Sequence, residues 1–193
     1  CSECPNSKFL PATDQAIHDH LSGKKMIGLY PLLQDETCWF LVIDFDKGGW
    51  QGHVKAFLDV CGKWNIPAAL ERSQSGNGAH IWIFFTDPIP AYLARKLGCG
   101  LITQTMKDRH EISLSSYDRL FPAQDTMPKG GFGNLIALPL QGERRKRGNS
   151  VFLDTDLNLH ADQWGFLASI QRINYDEVNA VVRRLSEDGD IID

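Results

Sequence analysis

No apolar run in this chain of 193 residues is long enough to cross a bilayer, which takes about 20 consecutive residues. The longest, Trp39–Ile43 and Ile81–Phe85, have the length of strands, and no leader-like segment precedes them. The sequence therefore predicts a soluble, intracellular protein with no membrane partner. Repeats and low-complexity tracts are missing, as is any stretch with the composition of a disordered tail. An excess of cations is missing too. The net charge of −4 argues against indiscriminate coating of nucleic acid, although a local basic track is compatible with it because footprints are set by patches. Cysteine is sparse and odd in number, with five residues at Cys1, Cys4, Cys38, Cys61 and Cys99. Three fall inside apparent strands or helices, which reads as reduced core thiols rather than a disulfide framework. The Walker pattern is absent, so there is no P-loop. What is there, with 42% hydrophobic residues, suffices for a substantial core. It is most simply one α/β domain over 1–193, with an N-terminal segment over 1–25 and C-terminal helices over 162–193.

The densest chemistry lies in Cys38-Trp-Phe-Leu-Val-Ile-Asp-Phe-Asp46. Side chains alternate faces along a strand, so Asp44 and Asp46 leave the same face, roughly 6.6 Å apart. Both faces are otherwise apolar, as in the central strand of a covered sheet. Two like charges side by side there are costly unless a cation or protons neutralise them. The pair reads as a grip for Mg²⁺ or Mn²⁺, which prefer hard oxygen ligands.

Further along, Ser73-Gln-Ser-Gly-Asn-Gly-Ala-His80 joins a short strand over 68–73 to the strand Ile81–Phe85. By itself this is a glycine-rich hairpin with a satisfied histidine. Beside a carboxylate pair, Ser73, Ser75, Gly76, Asn77 and Gly78 become candidates for cradling a triphosphate with their N–H groups. Arg72 and Lys129 are candidate charges for the same phosphates, against the simpler reading of surface ion pairs. Lys129 opens a second glycine-rich loop that ends at Asn134, also a candidate nucleotide contact. Asp118 reads either as a turn cap or as a third metal ligand. Arg144, Arg145, Lys146 and Arg147 form a basic run suited to the phosphates of a template, with Trp50 or Phe132 as base-stacking surfaces. Cys1 and Cys4 make a lone C-x-x-C. His18 and His20 do not complete it, because residues two apart on a helix do not face each other. The expectation is half of a structural Zn²⁺ knuckle, completed by residues outside this sequence.

The cap over 11–14 predicts a short helix through Ile17 to Leu21, and apolar spacing and capping predict helices over about 51–64, 90–106, 162–169, capped at Asp162, and 175–185. The helix over 90–106 is expected to be weakened or split by Gly98 and Gly100. A strand over 26–33 is expected to lie antiparallel beside the acidic strand, and further strands are expected over 135–141 and 151–153.

Three longer strings carry a resemblance: 66–85 around the His80 loop, Ser116-Tyr-Asp-Arg-Leu-Phe-Pro122, and 128–141. With Asp44-Phe-Asp46 they resemble the three motifs of the archaeo-eukaryotic primase superfamily. The likeness is greater to the primase-polymerase domains of TOTE conflict systems and of CRISPR-associated primase-polymerases. The resemblance implies template-directed nucleotidyl transfer, with synthesis and extension of primers on single-stranded DNA. It implies an RRM-like antiparallel sheet joined to a smaller αβ unit, an α+β architecture with the active site between them. It also implies that Asp44, Asp46 and Asp118 hold two divalent cations and that His80 contacts the phosphates of the incoming nucleotide. The implied partners are nucleoside triphosphates, a DNA template and primer, and fused or associated CRISPR, helicase or nuclease components in a prokaryotic cytoplasm. One departure is visible. The family's Ser-x-His reads Gly78-Ala79-His80 here, so the serine's role passes to Ser75, Ser73 or backbone N–H groups. Two other readings compete. A metal-dependent nuclease is disfavoured by the lack of a His-x-His pair or a tyrosine beside the acids. A non-catalytic module for single strands is disfavoured by three carboxylates.

Overall fold

The computed structural model describes residues 10–46, 48–109, 117, 119–127, 129 and 133–189. Cys1, Cys4, Asp118 and Phe132 lie outside these residues, so the expectations for them stay as they stand.

The chain is α+β. Its centre is a five-stranded, wholly antiparallel sheet made of β2 (Thr37–Phe45), β3 (Ala69–Arg72), β4 (Ala79–Pro90), β5 (Arg119–Phe121) and β7 (Val151–Leu153). The strands lie in the order β5-β2-β4-β3-β7. A separate ladder pairs β1 (Gly28–Leu29) with β6 (Ile136–Ala137), and with helix α1 (Asp14–Leu21) it makes the smaller αβ part. One face of the large sheet is covered by α2 (Trp50–Lys63), α3 (Ala91–Asp108) and α6 (Tyr175–Glu187). Leu41, Ile43 and Phe45 of β2 turn to this face, and Phe45 meets Phe57 of α2 edge-on at 5.8 Å between centroids. On α6 the buried residues are Val178, Val181, Val182 and Leu185, the four that the apolar spacing selects. A reciprocal cap between Asn174 and Glu177 starts that helix.

Two expectations fail, each for a physical reason. The strand expected over 26–33 does not flank the acidic strand. Pro31 has no N–H to donate to a ladder, Leu33 N–H turns back to the Thr37 carbonyl at 2.9 Å, and β1 pairs with β6 instead. The neighbours of β2 are β4 and β5. Nor do glycines split α3, which runs unbroken for 18 residues. A Cβ at Gly98 would lie 3.1 Å from Leu41 and 3.2 Å from Leu120, so the bare backbone is what lets the helix lie close on the sheet.

Two histidines considered as zinc ligands have other roles. His20 is fully buried, takes the Ile27 N–H on Nδ1 at 3.2 Å and meets the Pro139 carbonyl through Nε2 at 3.0 Å. It fastens α1 to the chain beside β6, and neither nitrogen is left for a metal. His18 is exposed one residue before Asp19.

Candidate active site

The site is built on one rung of the large sheet. Asp44 on β2 is the register partner of Arg119 on β5 and of His80 on β4. His80 in turn opposes Glu71 on β3, and Glu71 opposes Phe152 on β7. Directly opposed residues in a ladder share a face, so one row of side chains crosses all five strands on the face away from α2 and α3. Below the row the same face is aromatic: Trp82 and Phe84 stack at 5.8 Å, and Phe40 lies 5.4 Å from Trp82. This apolar floor explains why β2 and β4 are hydrophobic on both faces until the row is reached.

Asp44 is the penultimate residue of β2, with 15% of its side chain exposed, and Asp46 is exposed just beyond the strand's end. His80 Nε2 lies 3.6 Å from Asp44 Oδ1. On its other side, His80 Nδ1 donates to Glu71 Oε2 at 2.9 Å. Burial is the largest single influence on His80 and opposes its charge. The hydrogen bond and charge of Glu71, with the charges of Asp44 and Asp46, outweigh it and raise the imidazole above its ordinary value of 6.5. The row thus alternates acid, base and acid in a partly dry setting.

The loop before His80 is a closed turn. Ser73 N–H bonds the Gly78 carbonyl at 3.0 Å, Gly76 N–H the Ser73 carbonyl at 3.1 Å, and Asn77 N–H the Ser75 hydroxyl at 3.1 Å. The two serine hydroxyls are 3.0 Å apart. Three N–H groups are therefore engaged within the turn, and the serine pair is its most prominent polar feature. Gly78 accounts for the departure from Ser-x-His. A Cβ there would come 2.5 Å from the Phe45 carbonyl oxygen and 3.0 Å from Asp46 Cα, so this position touches the acidic strand through bare backbone.

The basic run lies beside that turn. Helix α4 (Gly142–Arg145) and the residues after it are tied to the loop by Arg72 Nη1 donating to the Gly148 carbonyl at 3.2 Å, Ser150 N–H to the Arg72 carbonyl at 2.9 Å, and Asn149 Nδ2 to the Gln74 carbonyl at 3.3 Å. Arg72 is thus a clamp between the two segments. Of the four cations, Lys146 pairs with Glu143 at 2.7 Å. The Arg145 guanidinium lies 5.4 Å above the ring of Trp164, at the start of α5 (Gln163–Ser169). Lys129 is exposed and Asn134 half-buried, and neither makes a hydrogen bond or ion pair with the row among the described residues.

One proposed stacking surface is corrected. Trp50 opens α2 and is packed into the core at 7% exposure, so it offers no face to a base. Trp164, beside the basic run, is 48% exposed. Glu71 is the other residue not singled out. Its signal was a lone acid in the otherwise apolar run Ala68-Ala-Leu-Glu.

The family model described as the archaeo-eukaryotic primase domain of the TOTE conflict system matches residues 1–181. The chain belongs to this family. A comparison with curated proteins gave no match. Archaeo-eukaryotic primase domains are nucleotidyltransferases of the primase kind and are typically dependent on divalent metal. In this primase domain Asp44 and Asp46 supply carboxylate oxygens of the right chemistry at the open end of a rigid strand. Among the described residues no group of three or more His, Cys, Asp or Glu side chains is placed to hold a metal ion. Asp118 lies outside them, and its successor Arg119 is the rung partner of Asp44.

Proposed function

We propose that this primase domain is a template-directed nucleotidyltransferase that starts and extends primers on single-stranded DNA from nucleoside triphosphates. The observation that carries the reading is the end of the acidic strand: Asp44 on the rung beside His80, Asp46 just beyond it, and a turn packed backbone-to-backbone on that strand. Asp44 and Asp46, with Asp118 as the third donor, would hold Mg²⁺ or Mn²⁺. Two such ions, when bound, would make the 3′-hydroxyl a better nucleophile by lowering its pKa and would stabilise the negative charge on the leaving pyrophosphate. His80 presents Nε2 to the phosphates, Ser73 and Ser75 offer hydroxyls to them, and Arg72 keeps the turn in register with the basic segment. Lys129 and Asn134 serve the triphosphate from the second glycine-rich loop. Arg144, Arg145 and Arg147 follow the template backbone, with Trp164 as a stacking platform for a base.

The test is incubation with a primed DNA template, nucleoside triphosphates and Mn²⁺. Extension by the wild type that disappears in Asp44→Ala and Asp46→Ala is the expected result. No extension by the wild type, or equal extension by Asp44→Ala, overturns the reading. Loss of labelled DNA without nucleoside triphosphates would mark a nuclease instead.

A further inference from the structure

Glu71 takes no part in the chemistry above, yet it is the most deeply buried charged side chain on the rung, with 0% exposure. An ionised carboxylate is tolerated there only when its oxygens are well partnered. Oε2 accepts from His80 Nδ1 at 2.9 Å and from Trp82 Nε1 at 2.8 Å, and Ser150 Oγ is 3.4 Å from Oε1. An indole N–H can only donate, so Trp82 holds Oε2 in place whatever the imidazole does. The fixed oxygen then decides how the imidazole stands. With Nδ1 bound to Glu71, Nε2 is the nitrogen that faces Asp44. Turning the ring over would put a carbon against a buried carboxylate oxygen and withdraw Nε2 from the acidic pair. The edge of the ring is further bounded by Trp82, with centroids 6.4 Å apart at 82°.

The geometry points to Glu71 as a positioning residue: a buried carboxylate, anchored by Trp82, that holds His80 with Nε2 presented to the nucleotide phosphates at the Asp44–Asp46 pair. This rests on the nucleotide reading of His80 given above. Glu71 itself touches no substrate and acts through the ring it orients. If it served only to fill the fold, its loss would lower stability and leave the ring and the nucleotide affinity as they are.

The experiment uses the full chain with isotopically labelled histidine. Nitrogen-detected NMR should show His80, assigned by loss of its signal in His80→Gln, with a slowly exchanging proton on Nδ1. Glu71→Met should lose that signature and raise KM for the nucleoside triphosphate by about ten- to a hundredfold, the range known for losing a group that orients a metal-ligating histidine. Glu71→Gln, which keeps a neutral acceptor, should fall between the two. Leu70→Ala, on the opposite face of β3 and buried in the core, is the stability control. It should lower the melting temperature yet keep both the signature and the wild-type KM. An unprotonated Nδ1 in the wild type overturns the inference, as does a wild-type KM in Glu71→Met. Should Glu71→Met not fold, the wild-type spectrum and Glu71→Gln decide alone. A wild type that neither binds nor incorporates nucleotides sinks the nucleotide reading instead, while the nitrogen spectrum still reports whether Glu71 orients the ring.

Discussion

Asp44 and His80 face each other on one rung, so each works in the other's field. Removing the charge of a carboxylate without changing its shape is the cleanest probe of such a site. Asp44→Asn and Asp46→Asn should each lower the rate of nucleotide incorporation by about two to three orders of magnitude, as when one electrostatic stabiliser of a transition state is lost. Single-turnover kinetics at saturating nucleotide would measure this. Gly78 gives a different kind of residue effect, since its substitution adds atoms and removes no chemistry. A Cβ overlapping the Phe45 carbonyl must push the loop from the acidic strand. Gly78→Ala should destabilise the protein by about 1–3 kcal/mol, the range for overpacking, as read from urea unfolding, and should reduce activity further than stability explains. The acidic pair and His80 were legible in the sequence because their chemistry is local: a strand's alternation and a glycine-rich turn announce them. Glu71 was not, because its meaning depends on Trp82 and Ser150, which come from other parts of the chain and meet it only in the sheet.

Helices were the readable elements. The apolar spacing of α6 selected its four buried valine and leucine residues, and the Asp162 cap was visible ahead of α5. Strand pairing was harder, because a strand's own pattern says which residues are apolar without saying whose N–H groups they meet. The 26–33 segment looks like a partner for β2, but Pro31 and the turn at Leu33 send it to a distant strand. The join between α1 and the rest is an element-scale test of that arrangement. His20→Ala leaves the Ile27 N–H and the Pro139 carbonyl without their partner, and should cost roughly 2–6 kcal/mol at about 1–3 per stranded group. Asp19 adds a pH dependence to the same element. Hydrogen bonds from Gln15 and then Lys25 hold its carboxyl below the ordinary 3.8. The stability this contributes is fully present above that value and is lost as pH falls through the lower folded one. Melting temperatures measured from pH 4 downward should therefore fall less steeply in Asp19→Asn than in the wild type.

The whole molecule carries a net charge of −4, so any grip on a polynucleotide comes from a patch and not from its total. With four cations in the basic run and Lys146 already paired to Glu143, about three phosphates should be neutralised. A plot of log affinity for single-stranded DNA against log salt should then have a slope near −2, at about −0.7 per phosphate. Trp164→Ala should weaken binding by roughly 1–3 kcal/mol with that slope unchanged, since stacking releases no counterions. A slope that moves with Trp164→Ala would place the tryptophan elsewhere in the interface. The rung described above has a consequence at this same scale. Positions 44, 71, 80, 119 and 152 come from five different strands and become neighbours only when four ladders are in register. A slip of one residue in any strand would send its member of the row to the opposite face. No isolated fragment can therefore assemble the row, and under the proposed function a bound nucleotide would report correct strand alignment. At a hundred times its dissociation constant it would favour the aligned state by about 2.7 kcal/mol, and would so act as a folding ligand for the sheet.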